Sequence, residues 1–336
     1  MRHSMLRRRN APDLFSNRFE ELGNGMKKIL VLGANPAWQK TLFFKNFVPG
    51  EVNRAIKEEN YPSGKGINLC RALRCSGVEN FMLFQFAGGD NGQKLCSGLD
   101  IAGFPHTSVH TTGETRNCIT CLDQHGFMTE LIGVSKALSQ KETDEMLAKL
   151  QNLLPGAGIM VITGSLPDGT YPGLYAAVAR IAAENDVPLL IDTLVDVDKI
   201  LSVSGKVILK VNREEFFKIA GVKSITEAHA VMMKKYPEKI FAVTNGAANA
   251  TLSYSGKMYE YTLPSISAVS PLGAGDTAAA VMSVQYTMGK SCQEAFLYAL
   301  AAASANCLNA KAGEYLPSDA NWIVNKISLT EKRLIL

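Results

Sequence analysis

Six short apolar runs, at 29–32, 81–86, 159–162, 189–191, 207–209 and 240–243, alternate along the chain with stretches of helical spacing at 68–74, 142–153, 175–184 and 225–235. No other feature narrows the fold so far. A strand that is apolar on every side must be covered on both faces, and strands joined through helices pair in parallel. The expected class is therefore α/β, a mostly parallel central sheet between helical layers. Two regions depart from the alternation. Residues 41–60 and 106–132 are rich in β-forming side chains, alternate in polarity and hold no helical stretch. They are expected to form antiparallel strands outside the main sheet, as a small lid or a dimerisation flap through which a homodimer could form. Ligands of open α/β sheets sit beyond the carboxyl ends of the strands. A flap folded over that edge would exclude water from a reacting group.

Size and charge exclude several classes. The 336 residues suffice for one large α/β domain or two modest ones, and 46% apolar with 20% charged residues is an ordinary globular profile. The net charge of +4 is small, and five arginines among the first 18 residues account for it. No basic stripe with interleaved aromatics marks a nucleic-acid partner. Seven cysteines at scattered spacings argue against a disulfide framework and for a reducing, cytoplasmic setting. Cys118 and Cys121 spell C-x-x-C, but in a strand positions i and i+3 face opposite sides, so the pair reads as structural. Residues 1–25 are Arg-rich and have no apolar run long enough for a signal peptide or membrane helix. Asp13, Glu20 and Glu21 weaken a transit-peptide reading. They are expected to be a loosely ordered basic extension ahead of one working domain at 26–330. The Ala-rich segment 295–308 is too short to span a bilayer and carries Ser304 and Asn306, so it reads as a closely packed buried helix. No membrane partner is expected.

Gly273-Ala274-Gly275-Asp276 leads straight into helix formers at 278–284. Small residues let the backbone curl around an anion, and a helix start aims free N–H groups and the positive end of its dipole at it. A carboxylate is a poor neighbour for phosphate unless it takes a proton from an attacking hydroxyl. The stretch reads as a phosphotransfer site, with a glycine-rich turn and an N-capping Asp as the plain alternative. Ser63-Gly64-Lys65-Gly66-Ile67-Asn68 sets flexible residues and a cation at a helix start, which suits a phosphate or sugar or simply begins a helix. It is not the P-loop pattern, because neither Ser nor Thr follows the Lys. Gly164-Ser165-Leu166-Pro167 is a turn after the run at 159–162. In Lys210-Val211-Asn212-Arg213-Glu214-Glu215, Asn212 and Glu215 spell a near capping box, or else hold Mg²⁺-bound waters beside nucleotide phosphates. Thr244-Asn245-Gly246-Ala247 closes the run at 240–243, and its glycine could admit a nucleotide.

These blocks also stand in a telling order. Asn35-Pro36-Ala37, Pro49-Gly50-Glu51-Val52-Asn53-Arg54, Gly64-Lys65-Gly66-Ile67-Asn68, Gly88-Gly89-Asp90, Thr115-Arg116 and Thr129-Glu130-Leu131 precede the Gly164, Lys210 and Gly273 motifs. Over about residues 27–320 the chain resembles the PfkB, ribokinase-like family of carbohydrate kinases, and within it the branch of 1-phosphofructokinases and tagatose-6-phosphate kinases. The resemblance implies a ribokinase-like α/β/α sandwich with a β lid, use of ATP with Mg²⁺, and a hexose monophosphate as acceptor, fructose 1-phosphate first and tagatose 6-phosphate next. By motif match Asp276 would be the base, and the N–H groups of Ala274, Gly275 and Asp276, behind Gly273, would form an anion hole. Lys210 would lie close to the nucleotide phosphates, with Asn212 and Glu215 on water-held Mg²⁺. Thr244, Gly246 and Ala247 would border the nucleotide, and Asn306 would lie near adenine. Gly64, Lys65 and Asn68 would contact the sugar. Arg116 would grip a phosphate already on it, with Lys65 sharing that load.

The chain departs from the branch at its acceptor end. Trp38-Gln39 stands where the branch has an acidic residue two positions after Asn-Pro-Ala. Ile132-Gly133-Val134-Ser135 replaces an Asn and a Pro-Gly-Pro turn, and Pro271 replaces a polar residue. Two alternatives compete with a phosphosugar kinase: a kinase of an unphosphorylated sugar or nucleoside, and a sugar or nucleotide sensor without turnover.

Overall fold

Each apolar run is buried on both faces, and that burial sets the runs side by side. Ile29 to Leu32, for example, have no exposed surface. The computed structural model describes residues 25–334, so the expected extension at 1–25 lies, apart from Gly25, outside the described residues. In chain order the first half holds β1 (Ile29–Leu32), β2 (Ala37–Phe44), β3 (Lys57–Ser63), α1 (Lys65–Cys75), β4 (Phe81–Ala87), α2 (Gly89–Ile101), β5 (His106–His110), β6 (Asn117–Asp123), β7 (Met128–Ile132) and α3 (Gln140–Gln151). There follow β8 (Ile159–Thr163), α4 (Leu174–Glu184), β9 (Leu189–Asp192), α5 (Val197–Leu201), β10 (Val207–Asn212), α6 (Arg213–Ala220) and α7 (Ile225–Lys235). The last part is β11 (Ile240–Thr244), β12 (Ala250–Tyr254), β13 (Lys257–Thr262), α8 (Ala274–Thr287), α9 (Cys292–Asn306), α10 (Pro317–Val324) and β14 (Ser328–Arg333).

The main sheet runs β14-β13-β12-β11-β10-β9-β8-β1-β4-β5. From β11 to β5 every neighbouring pair is parallel, whereas β12, β13 and β14 are antiparallel additions at one edge. Helices cover both faces. Apolar residues of α1, α2, α8, α9 and α10 pack on one side, and those of α3 to α7 on the other. The result is the ribokinase-like α/β/α sandwich expected from the sequence. The strand order reverses between β1 and β8, since β1 continues to β4 on one side while β8 continues to β9 on the other. Such a switch point opens a crevice at the carboxyl ends of the strands.

A second sheet, β3-β2-β6-β7, stands apart. Two expectations about it need correction. His106–His110 is not part of it: β5 pairs in parallel with β4 at the edge of the main sheet. Nor is it wholly antiparallel, because β2 and β6 run parallel, with Gln39 opposite Cys118. Polarity alternates in either setting, so alternation alone could not assign β5 to a sheet. Cys118 and Cys121 are both buried in β6 and carry free thiols. The Ala-rich segment is α9, whose small residues let it pack closely on α8, with Ala295, Ala299, Ala301, Ala302 and Ala305 fully buried. No helix among the described residues is long and apolar enough to cross a membrane.

Candidate active site

At the switch point the backbone must come very close to itself. Gly33, after β1, and Gly66, in the first turn of α1, touch so closely that a Cβ on Gly33 would lie 2.7 Å from Gly66 Cα. Gly64 has φ 119°, and a Cβ there would meet Pro36 Cα at 2.9 Å. Glycine at 64 and 66 is therefore required by the chain crossing, before any ligand is considered. The crossing leaves a cavity of about 110 Å³, lined by Asn35, Gly64, Lys65, Arg116, Thr163 and Ser165 among others. Arg116 donates one Nη2 bond to Asn35 O at 3.0 Å, while its buried Nε has no partner. Thr163 Oγ1 is likewise buried without a partner. Donors with unused capacity beside Lys65 make the cavity receptive to an anion.

Beside this cavity lies the mouth of α8. Gly273 turns the chain with φ 79° and the helix begins at Ala274. The Ala274 amide donates to Pro271 O at 3.3 Å, whereas the amides of Gly275 and Asp276 have no acceptor among the described residues. Gly275 leaves open space beneath the Lys210 ammonium: a Cβ there would be 3.2 Å from Nζ. Two free amides, a helix dipole and a buried ammonium thus converge on one point, a cradle that fits a phosphoryl group.

Asp276 is buried at this mouth, and Asn68 Nδ2 donates to its Oδ2 at 2.9 Å. Burial, and next the nearby Asp192, push its carboxyl up to about 6 against the ordinary 3.8, while Lys65, the Asn68 bond and Lys210 pull the other way. The protonated form is thereby favoured by about 3 kcal/mol relative to a free carboxyl. Its pKa lies close to physiological pH, as a group that accepts and releases protons there requires. Asp192 ends β9 between two cations. Its Oδ2 lies 3.4 Å from Lys210 Nζ and 3.7 Å from Lys65 Nζ, yet has no aligned hydrogen-bond donor. Burial disfavours the charge on Lys65, but Asp192, then Asp276 and Glu215, outweigh it and hold that ammonium above its usual range.

Sequence reasoning missed Asp192. The available signal was a carboxylate at the carboxyl end of a fully apolar strand, the one end of β9 where a ligand could meet it.

The remaining expected residues take varied places. Asn212 and Glu215 close a full capping box: Asn212 Oδ1 accepts from the Glu215 amide at 2.9 Å and Glu215 Oε2 accepts from the Asn212 amide at 3.0 Å. Glu215 Oε1 stays outside the box. Since Mg²⁺ keeps several waters and leans on substrate phosphates, one spare carboxylate oxygen near Lys65 suits a water-held ion. Thr244 ends β11 half-buried, with Gly246 and Ala247 exposed in the turn beyond it. Gln39 sits in β2 with 6% exposure and donates to Thr120 Oγ1 at 2.8 Å, and it is not among the cavity-lining residues. Trp38, on the opposite face of β2, packs against the main core.

Asn306 requires correction. It is fully buried, and its amide is spent on the protein: Oδ1 accepts from Thr277 Oγ1 at 2.9 Å and from the Gly313 amide at 2.8 Å, and Nδ2 donates to Leu272 O at 2.8 Å. With no exposed surface it cannot reach adenine. Asn306 instead clamps the turn before α8 to the loop at Gly313. Asn68 likewise turns inward, its Nδ2 on Asp276 and its Oδ1 taken by Arg71 at 2.8 Å.

Known proteins carry the same framework. The model of the pfkB family carbohydrate kinases matches residues 26–319. A tagatose-6-phosphate kinase of Staphylococcus epidermidis is 28% identical over 259 residues, spanning 75% of this chain and 83% of that protein. Phosphofructokinase-2 of Escherichia coli, in its potassium complex, superposes with a TM-score of 0.83 at 22% identity, covering 90% of this chain and 99% of that one. A Thermotoga maritima structure described as a possible 1-phosphofructokinase gives 0.80 at 21% identity, with 91% and 100% covered.

Proposed function

The chain belongs to the pfkB family of carbohydrate kinases, a phosphotransferase acting on a sugar hydroxyl, and from that premise we propose that it transfers the γ-phosphoryl group of ATP to a hexose monophosphate. The observation that carries the reading is Asp276, a buried carboxyl at a helix mouth, raised by burial and by Asp192 and flanked by Lys65 and Lys210. Its Oδ2 is held by Asn68, so Oδ1 is the oxygen that takes the proton of the acceptor hydroxyl. The hydroxyl oxygen then attacks the γ-phosphorus, the bond to the β-phosphate oxygen breaks, and ADP leaves with that electron pair. The Gly275 and Asp276 amides and the Lys210 ammonium meet the charge that develops on the transferring group. Mg²⁺, held through water by Glu215 beside Asn212, would neutralise the nucleotide phosphates. Thr244, Gly246 and Ala247 border the nucleotide.

For the acceptor, the unpartnered Arg116 Nε and the neighbouring Lys65 support an anionic sugar. Two cations lining one small cavity, one of them with an unpartnered buried Nε, favour an anionic group there. Fructose 1-phosphate and tagatose 6-phosphate are the acceptors to try first, and the name of the Staphylococcus relative adds weight to the second. The small sheet serves as the lid over the site. Exposed Phe127, Leu131 and Ile132 on and beside its edge strand β7 support its use as a homodimer face. Free thiols support a reducing, cytoplasmic setting.

The test is ADP release across free sugars, nucleosides and hexose monophosphates. Turnover confined to phosphorylated acceptors is expected. Better use of free fructose than of its phosphates would overturn the acceptor assignment, and no turnover on any would overturn the kinase reading.

A further inference from the structure

The one side-chain donor to Asp276 among the described residues is the Asn68 amide, and an amide has two faces of nearly equal size, one donating and one accepting. Presented the wrong way, Asn68 would set a carbonyl against a carboxylate. Nothing in Asn68 itself excludes that. Arg71, three residues on along α1, does. Its Nη1 donates to Asn68 Oδ1 at 2.8 Å, which leaves only Nδ2 to face Asp276. The guanidinium is held in turn from two other places, the nearby strand β3 and the distant loop at Ala312. Nη1 also donates to Ala312 O at 3.3 Å, and Nη2 donates to the carbonyl of Pro62 in β3. The plane lies 5.5 Å from the ring centre of Tyr61, the residue before Pro62, and Arg71 as a whole is 8% exposed.

We infer that Arg71 is a positioning residue for phosphoryl transfer: it fixes the Asn68 amide with its donating face toward Asp276 and ties that orientation to strand β3 and the Ala312 loop. The inference rests on the reading of Asp276 as the base. Three acceptors lie in different directions, and only the planar fork of an arginine reaches them together; a lysine supplies the charge but not the fork. The other charged groups facing Asp276, namely Asp192, Lys65 and Lys210, belong to other elements or to the first turn of α1, and none of them hydrogen-bonds Arg71 among the described residues. The groups facing the Arg71 charge are Tyr61, then Glu314 from the loop beyond Ala312, Cys70 and Asp276 itself, so Arg71→Lys, which keeps the charge, separates orientation from attraction.

The experiment is the pH dependence of kcat for the wild type, Arg71→Lys, Arg71→Met, Asn68→Ala and the double variant Asn68→Ala/Arg71→Met, with Tm measured for each. Both Arg71 variants should lower kcat about tenfold while the KM for ATP stays within about twofold. The acid limb of kcat should move up by about one pH unit, because the carboxylate loses its aligned donor. The double variant should be no slower than Asn68→Ala alone, since the two residues act in series. Arg71→Lys keeps a cation at the buried site and serves if Arg71→Met does not fold. A lysine variant with wild-type kcat and an unmoved acid limb would show that charge suffices and would overturn the inference, as would additive losses in the double variant. Slow turnover of Asp276→Asn together with an unaltered Arg71→Lys removes the positioning role alone. Full turnover of Asp276→Asn removes the base reading itself.

Discussion

The mouth of α8 and the small sheet are built on opposite plans. At the mouth the side chains are tied to one another: Asn306 makes three bonds, Asp276 is held by Asn68, and Asp192 lies between two lysines. In and around the small sheet, Val52, Ile56, Phe127, Leu131, Ile132 and Val134 are exposed, and Gln39 answers to a single threonine hydroxyl and a backbone carbonyl. Over-determined groups cannot be changed singly without leaving a buried polar atom unmet, whereas exposed strands can change with little loss. The difference teaches that the mouth of α8 is held by packing, while the small sheet is the part of the molecule free to vary.

That contrast breaks first at Asp276. Asp276→Asn should lower kcat by about 10²-fold or more with ATP binding retained, the scale of general-base loss. The wild-type rate itself should fall as pH drops through about 6, where Asp276 takes up its proton and can no longer accept one. Stability carries the opposite sign: a carboxyl raised in the folded state favours the protonated protein, so the wild type gains stability as pH falls through 6 and the Asn variant does not. The Asn variant should be the more stable near pH 7, with the gap closing toward the free-carboxyl value of about 3.9. Near wild-type turnover, or a pH-independent gap, would mean that Asp276 titrates elsewhere.

Arg116→Ala should come next, raising KM for a phosphorylated sugar roughly ten- to a hundredfold, the worth of a charge-assisted hydrogen bond, with KM for ATP little changed. Equal effects on both substrates would erase the separation of the two regions.

Glu215→Gln sharpens it further. Glutamine at this position still closes a capping box, so Tm should hold while the Mg²⁺ concentration for half-maximal rate rises about tenfold. A fall in Tm with unchanged Mg²⁺ dependence would leave Glu215 a cap alone.

The smallest effect is expected in the small sheet. Gln39→Asp should raise kcat/KM for hexose monophosphates about tenfold, because a carboxylate accepts stronger hydrogen bonds from sugar hydroxyls than an amide does. Loss of activity on every sugar phosphate would mean that the Gln39–Thr120 contact is tuned to another acceptor.

Much of this was legible in the residue order, and the reasons are local. Runs such as 29–32 and 240–243 are apolar on both faces, and a sheet covered on both sides is the only arrangement that buries them, so the α/β class followed directly. The box of Asn212 and Glu215 uses only neighbouring backbone and forms as its spelling suggests, and α8 begins behind Gly273 as the small residues there suggest. The start of α1 was less legible: Gly64 and Gly66 weaken any helix pattern, and only their contact with Pro36 and Gly33 explains them.

What periodicity and turn chemistry decide, they decide within a few residues, and that reach covers the strands, the helices and the anion-binding mouth. The state of the base lies beyond it. Asn68 meets Asp276 across 208 residues, Arg71 meets Ala312 across 241, and Asp192 finds Lys65 and Lys210 only because β9 lies beside β10 and across the crevice from α1. A carboxyl's pKa depends on the charges and the solvent within a few ångströms of it, and for Asp276 those neighbours are supplied by folding alone.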